Sequence, residues 1–281
     1  MISFKKHYQY SLFENITPEE QSDIEERGLL KISTGGGGHD HPFKSLNLPA
    51  GHSCPHASKC KVHTEKDEEG NIKIVKSKDC EYECYASKSE RMPAVYEQRR
   101  HNFDLLKQCK SSDEMAYLIY KSLMNKGVHL TDKYFRIHDS GDFFNQDYFD
   151  AWIKVAKKIP DTVFYAFTKS LPYWAKRKEH LPSNLKLIAS YGGLHDEEIV
   201  KHSFPHVKVF KSEDEAKNAG YEVSEDDVHA LELGSSASLM HGTQTGSENV
   251  KAAKANAIRN KEALDKRRNT KRHIDFHQFE D

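Results

Sequence analysis

The chain has 281 residues, with 42 Lys+Arg against 43 Asp+Glu and a formal net charge of −1, so bulk charge drives it neither to nucleic acid nor to a membrane surface, and any basic surface must be local. With 37% hydrophobic and 30% charged residues it has the composition of a globular protein with a polar exterior, long enough for one large domain or two small ones. No apolar stretch approaches a membrane span and Met1–Tyr10 lacks the apolar core of a signal peptide, so a cytoplasmic location is expected, where five cysteines act as ligands or redox groups rather than as a disulfide framework.

No internal repeat is visible. Thr17-Pro18-Glu19-Glu20 reads as a helix start, with Thr17 as the cap and proline at the first helical position. Gly35-Gly36-Gly37-Gly38 reads as a loop, because no Gly-Lys-Ser/Thr follows to make a phosphate cradle. Residues 42–90 are loop-rich, and Asn71–Val75 alternates weakly enough to be a small hairpin between two cysteine pairs. A helix follows from Ser89 to Cys109, with Val95, Arg99, Phe103 and Leu106 at helical spacing, and another from Met115 to Met124.

From residue 133 strands and helices alternate. Tyr134–His138 is a strand, Asp139–Asp142 a turn, and Tyr148–Lys157 an amphipathic helix with Phe149, Trp152, Ile153 and Ala156 on one face. Strands at Val163–Thr168, Leu185–Ser190 and Val207–Lys211 alternate with helices at Pro172–Lys178, Glu197–Ser203 and Glu213–Ala219, and Leu239-Met240 touches a last strand. Such alternation implies parallel β-α units, and about five or six of them fall short of a closed barrel. The expected fold is α/β, a partial (β/α) barrel with parallel strands, ahead of an open doubly wound sheet. It divides into an N-terminal extension (1–41), a metal-binding domain with a cysteine-rich loop region (42–249) and a basic helical tail (250–281).

Cys54-x5-Cys60 and Cys80-x3-Cys84 form two short pairs. Short spacing lets two thiolates reach one centre from a single loop, and four sulfurs suit zinc or an iron–sulfur cluster. The spacings are neither those of a zinc ribbon nor those of a ferredoxin. His52, His56 and His63 are nearby and can replace a cysteine; Cys109, on a helix, reads as structural.

The C-terminal ends of parallel strands are where function gathers. Asp139 and Asp142 can hold an amine or a metal or work as acid and base, although Asp-Ser-Gly-Asp is also an ordinary turn. Lys169, after Thr168, can meet a carboxylate or phosphate. Asp139, Asp142 and Lys169 are the catalytic candidates and Ser190 a cofactor-binding one; Tyr191 and Lys211-Ser212-Glu213 occupy further strand ends. His138 reads equally well as a core histidine. The polar stretch His241–Ser247 precedes a helix and is either a plain cap or an anion site. The tail carries nine Lys/Arg and two acids between Lys251 and Arg272, either a solvated face or a phosphate-backbone contact.

Leu48-Pro49-Ala50-Gly51-His52-Ser53-Cys54-Pro55, Cys84-Tyr85-Ala86, Arg136–Phe144, Phe164–Ser170 and His241-Gly242-Thr243-Gln244 together resemble the phage gene product 88 family, over roughly residues 43–250. That family is distantly similar to radical S-adenosylmethionine (SAM) partial-barrel enzymes. The resemblance implies a phage protein in the host cytoplasm, a 4Fe-4S cluster with Cys84 as last ligand among Cys54, Cys60, Cys80 and Cys84, and SAM facing Tyr85 and Ser140-Gly141-Asp142. The departure is in number: radical SAM enzymes use three cysteines spaced x3 and x2, and here four stand at x5, x19 and x3. Four ligands leave no iron open to SAM; one spare cysteine restores the opening. The leading expectation is a radical-SAM-like enzyme acting on a nucleic acid or nucleotide-derived substrate, with the tail as a nucleic-acid contact. One rival is a zinc-stapled, transglycosylase-like base-exchange enzyme using Asp139 or Asp142. The other is a non-enzymatic cluster protein that binds nucleic acid or a host protein.

Overall fold

Thr17 opens helix α1 (Pro18–Glu26) with a reciprocal cap, its hydroxyl accepting from the Glu20 amide while the Glu20 carboxylate accepts from the Thr17 amide, which satisfies two donors that a helix start leaves open. The computed structural model describes residues 15–34, 43–128, 133–242 and 244–277, with side chains in the last helix described through 263 and at 265. The predicted glycine loop at 35–38 and Met1–Tyr10 lie outside the described residues.

In chain order come β1 (Ile32–Thr34), β2 (Lys44–Leu46), a hairpin of β3 (Val62–Lys66) and β4 (Ile72–Lys76), and helices α2 (Tyr85–Ser89), α3 (Pro93–Gln108) and α4 (Ser112–Asn125). The alternating run follows: β5 (Tyr134–Arg136), α5 (Gln146–Lys158), β6 (Val163–Thr168), α6 (Leu171–Ala175), β7 (Leu185–Ser190), α7 (Glu197–His202), β8 (His206–Phe210), α8 (Glu213–Asn218), α9 (Asp227–Leu233), β9 (Ser236–Leu239) and α10 (Ser247–His277). The hairpin is longer than Asn71–Val75, because Val62-His63-Thr64-Glu65-Lys66 pairs with it residue for residue although it shows no apolar alternation of its own. Helix α9 left no periodic signal in its seven residues; Asp226 caps it by accepting from the His229 amide.

Seven strands make one sheet in the order β1-β2-β5-β6-β7-β8-β9. Strand β1 is antiparallel to β2, and every later neighbour is parallel. The architecture is therefore mixed α/β with a mostly parallel sheet, and the sheet is open. Two local features occupy its margins: β1 covers the free side of β2, and residues 222–224 bond to Ala237 of β9. Covering an edge in this way removes a row of unpaired backbone groups. Of the described residues before 42, Ile32–Thr34 are thus built into the sheet, and Ile16, Ile24, Leu30 and Ile32 join the main core.

One face of the sheet buries Phe135, Phe164, Ala166, Leu185, Leu187 and Ala189 against α5, α6 and α7. Trp152 of α5 sits 5.9 Å from Phe135 and 5.7 Å from Phe164, ring centre to ring centre. Because side chains alternate along a strand, Arg136, Tyr165, Phe167 and Ile188 point to the other face, where Ala230 of α9 joins Ile188 and Val207. Among the described residues no helix is long and apolar enough to cross a membrane.

Candidate functional site at the strand ends

The turn after β5 is tied to the segment leading into the cysteines. Asn47 Oδ1 accepts from the Asp139 and Ser140 amides, the Leu48 amide donates to Ser140 O at 2.9 Å, and Ser140 Oγ donates to Leu48 O at 2.9 Å. Gly141 has φ +88°, and a Cβ there would stand 2.5 Å from Ser53 Oγ and 2.7 Å from Leu48 Cβ. Glycine is required both for the backbone angle and for this approach.

The cysteine loop also lies on the end of β7. The Ser58 and Lys59 amides donate to Gly192 O, Leu194 N donates to His56 O, and Ala57 bridges Gly193. The two cysteine segments are tied to each other where Glu81 N and Tyr82 N both donate to Lys59 O. Gln244, 6% exposed, clasps the second segment by bonding both the amide and the carbonyl of Glu83.

These ties gather the thiols. Burial pushes Cys54 well above the ordinary thiol range, with the charges of Asp142, Cys84 and Cys60 adding to it. Burial pushes Cys84 up to about 11, with Cys60 next in effect, and also raises Cys80, whose neighbours include Cys60. Cys60 is thus within electrostatic reach of all three others. Cys80 Sγ donates to Tyr82 O at 3.3 Å. The sulfurs share a neighbourhood without closing around one point: among the described residues, no group of three or more His, Cys, Asp or Glu side chains is arranged to hold an ion.

Asp139 and Asp142 serve different sides of the turn. Asp142, 5% exposed, accepts from the Phe143 amide at 2.8 Å, Thr168 Oγ1 at 2.6 Å and the Lys169 amide at 2.8 Å. Burial raises its pKa even so. It staples the end of β5 to the end of β6, which suits positioning better than acid–base work. Asp139 Oδ1 instead lies 3.0 Å from Arg136 Nη1 and accepts from the Tyr85 hydroxyl at 2.8 Å. The same Arg136 nitrogen lies 3.0 Å from Asp227 Oδ2, which accepts from Tyr165 at 3.0 Å. Tyr85, one residue past Cys84, therefore joins the cysteine segment to a polar cluster on the second face of the sheet. Sequence reasoning missed Asp227, which sits in the undetected α9, and missed the role of Arg136, although alternation with Phe135 put it opposite the core.

Lys169 stands between the two cysteine segments and the sheet. Its Nζ donates to Ser190 Oγ at 2.5 Å. Burial works against its charge, but Cys60, Tyr82, Asp142 and Cys84 outweigh burial and hold the ammonium above the usual lysine range. Burial pushes the Tyr82 hydroxyl up to about 12.

The remaining candidates have structural partners. His52 Nε2 lies 3.1 Å from Thr64 O, His63 Nε2 lies 2.8 Å from Glu65 Oε1, and the His56 ring packs 4.9 Å from those of Tyr173 and His195. Cys109 donates to Leu105 O in the core. Lys211 pairs with Glu248, Ser212 caps α8, and Glu213 meets Lys217 and Arg259. In the 241–247 stretch, His241 packs 4.8 Å from Tyr85 and Thr245 accepts from Lys76, so the stretch braces the second cysteine segment; Thr243 lies outside the described residues. Glu90, which no motif singled out, is 1% exposed and binds Arg99, the Ala50 amide and Thr64.

The family described as Gene product 88 matches residues 16–261. Two relatives are named Gene 88 protein: that of Mycobacterium phage L5 is 27% identical over 157 residues and that of Mycobacterium phage D29 is 28% identical over 159. Each match covers 54% of this chain and 58% of the relative, so the chain spans little more than half the length of either. No solved structure matches.

Proposed function

The chain belongs to the gene product 88 family, and we propose that it is an iron–sulfur protein, radical-SAM-like in architecture, with a cluster held by Cys54, Cys60 and Cys84. The observation that carries this reading is the convergence on Cys60: three other thiols lie in its electrostatic reach, in loops tied to one another and to the ends of β5 and β7. A set of soft sulfur donors fits zinc or an iron–sulfur centre in preference to a hard cation. Cys80 is the spare thiol, being a neighbour of Cys60 and bonded to Tyr82 O. Cys54, Cys60 and Cys84 would hold such a centre, and when bound it would supply single electrons to a small molecule beside it.

The chain's own groups do the remaining work. Asp142 holds the strand ends in register, Tyr85 orients Asp139 through its hydroxyl, and Lys169 brings positive charge against the thiols. The sheet is read as a partial β/α barrel. Its parallel strands are ordered as they occur in the chain, so right-handed crossovers put α5, α6 and α7 on one face and leave the other to the Arg136 cluster. The substrate is read as a nucleic acid or a nucleotide-derived molecule, met through α10, where Lys251, Lys254 and Lys261 are exposed.

Iron and sulfide content after anaerobic purification tests the centre. Serine at 54, 60 or 84 is expected to abolish iron binding, whereas Cys80→Ser retains it. Iron lost in all four variants makes the centre four-coordinate and closed to SAM. One zinc and no iron transfers the argument to the zinc-stapled base-exchange reading, and a chain free of both metals sinks it.

A further inference from the structure

Cys60 and Cys80 flank the base of the β3–β4 hairpin, one just before β3 and the other just after β4. The chain leaving β4 turns back onto the Cys60 segment and bonds to both neighbours of that residue. The Ser77 amide donates to Lys61 O at 3.0 Å, and the Glu81 and Tyr82 amides donate to Lys59 O at 2.8 and 3.1 Å. Residues 77–81 therefore arch over Cys60. Within the arch the Cys80 amide donates to Ser77 O, a turn that sets Cys80 directly before the Glu81 contact. Hydrogen-bonded backbone segments run about 5 Å apart, within the Cα separation that a disulfide spans. Cys80 Sγ donates to Tyr82 O at 3.3 Å, so its sulfur leans toward the residue that bonds to Lys59. Both cysteines are free and partly exposed, and Cys60 is among the charges that act on Cys80.

We propose that Cys60 and Cys80 are a thiol pair that a hydroperoxide converts to a disulfide across the base of the hairpin. Cys60 is the sulfur oxidised first, because the Lys169 ammonium faces it and offsets the charge of the departing hydroxide. Its sulfur takes one oxygen as the O–O bond breaks. Cys80, which burial keeps a thiol, is the resolving partner. Its proton joins the hydroxide as water, its sulfur bonds to that of Cys60, and the sulfenic oxygen leaves as a second water. Two thiols and one peroxide thus give one disulfide and two waters. Cys60 so engaged no longer holds a metal, so oxidation empties the centre and reduction by a thiol restores it. That consequence rests on the reading of Cys60 as a ligand; the pair itself does not.

Non-reducing peptide mapping of the full-length, anaerobically purified protein tests this, after stoichiometric hydrogen peroxide and alkylation of the remaining thiols. Wild type is expected to give a Cys60–Cys80 crosslink as its dominant disulfide, with iron released in step. Dithiothreitol should remove the crosslink and restore iron uptake. In Cys80→Ser, Cys60 lacks a resolving partner and should pass to sulfinic acid, so that reconstitution recovers several-fold less iron than in wild type. No crosslink, a dominant crosslink from Cys60 to Cys54 or Cys84, or Cys60 sulfinic acid in wild type overturns the proposal, as does equal recovery of iron by the variant. Wild type that binds no iron but forms the Cys60–Cys80 crosslink keeps the thiol pair and counts against the cluster reading alone. If Cys80→Ser fails to fold, the wild-type map decides by itself.

Discussion

His138 should make the fold acid-labile well above the carboxylate range. The imidazole is 3% exposed, with Nε2 3.1 Å from the Tyr148 hydroxyl and Nδ1 buried without a hydrogen-bond partner. Burial, and secondarily the Arg136 charge, lower its pKa from 6.5 to about 3. The folded chain therefore keeps His138 neutral where the unfolded chain protonates it. The stability this contributes is complete above the unfolded value and is lost as pH falls toward the folded one. At about 1.4 kcal/mol per tenfold change in proton affinity, the loss is about 2 kcal/mol near pH 5 and about 4 kcal/mol near pH 3. Urea unfolding followed by tryptophan fluorescence at pH 7 and pH 5, on wild type and His138→Phe, isolates it. The phenyl ring fits beside Phe143, 5.0 Å away, and lowers stability at both pH values by freeing the Tyr148 hydroxyl. Between them, wild type should lose about 2 kcal/mol more than the variant. Equal losses would show that His138 titrates normally and that water reaches its ring in the folded chain.

Glu90→Gln, which leaves Arg99 buried without its carboxylate, should cost about 3–5 kcal/mol, read as a fall in urea midpoint; a change under about 1 kcal/mol would class the pair with exposed ion pairs. Gly141→Ala should cost about 1–3 kcal/mol from the positive φ and the clash with Ser53 and Leu48, read as a fall in urea midpoint; a change under about 0.5 kcal/mol would show that the turn relaxes around the methyl. Replacing Lys266, Arg267 and Arg268 with glutamine should reduce the salt slope of nucleic-acid binding by about 2–3 if each meets a phosphate; an unchanged slope in filter binding would remove the tail from the interface.

The alternating strands and helices after residue 133 were legible because each has its own local cause. Trp152, Ile153 and Ala156 repeat at helical spacing, Val163–Thr168 is a run of apolar and aromatic residues, and Asn145 and Ser212 are ordinary caps. The four cysteines and the acidic turn were legible by residue type. What lay beyond the sequence depends on pairs far apart in the chain. Glu90 acquires Ala50 and Thr64, Arg136 acquires Asp227, and Lys169 acquires Ser190 only after the sheet has formed. The separation of Asp139 from Asp142 is likewise tertiary: three residues apart, they are divided by a glycine turn that sends one carboxylate to Arg136 and the other to Thr168. Local propensity and spacing determined which elements and which reactive residues this chain has. Packing alone decided which of those residues meet, because a hydrogen bond or a shared charge depends on distance in space, and distance along the chain does not encode it.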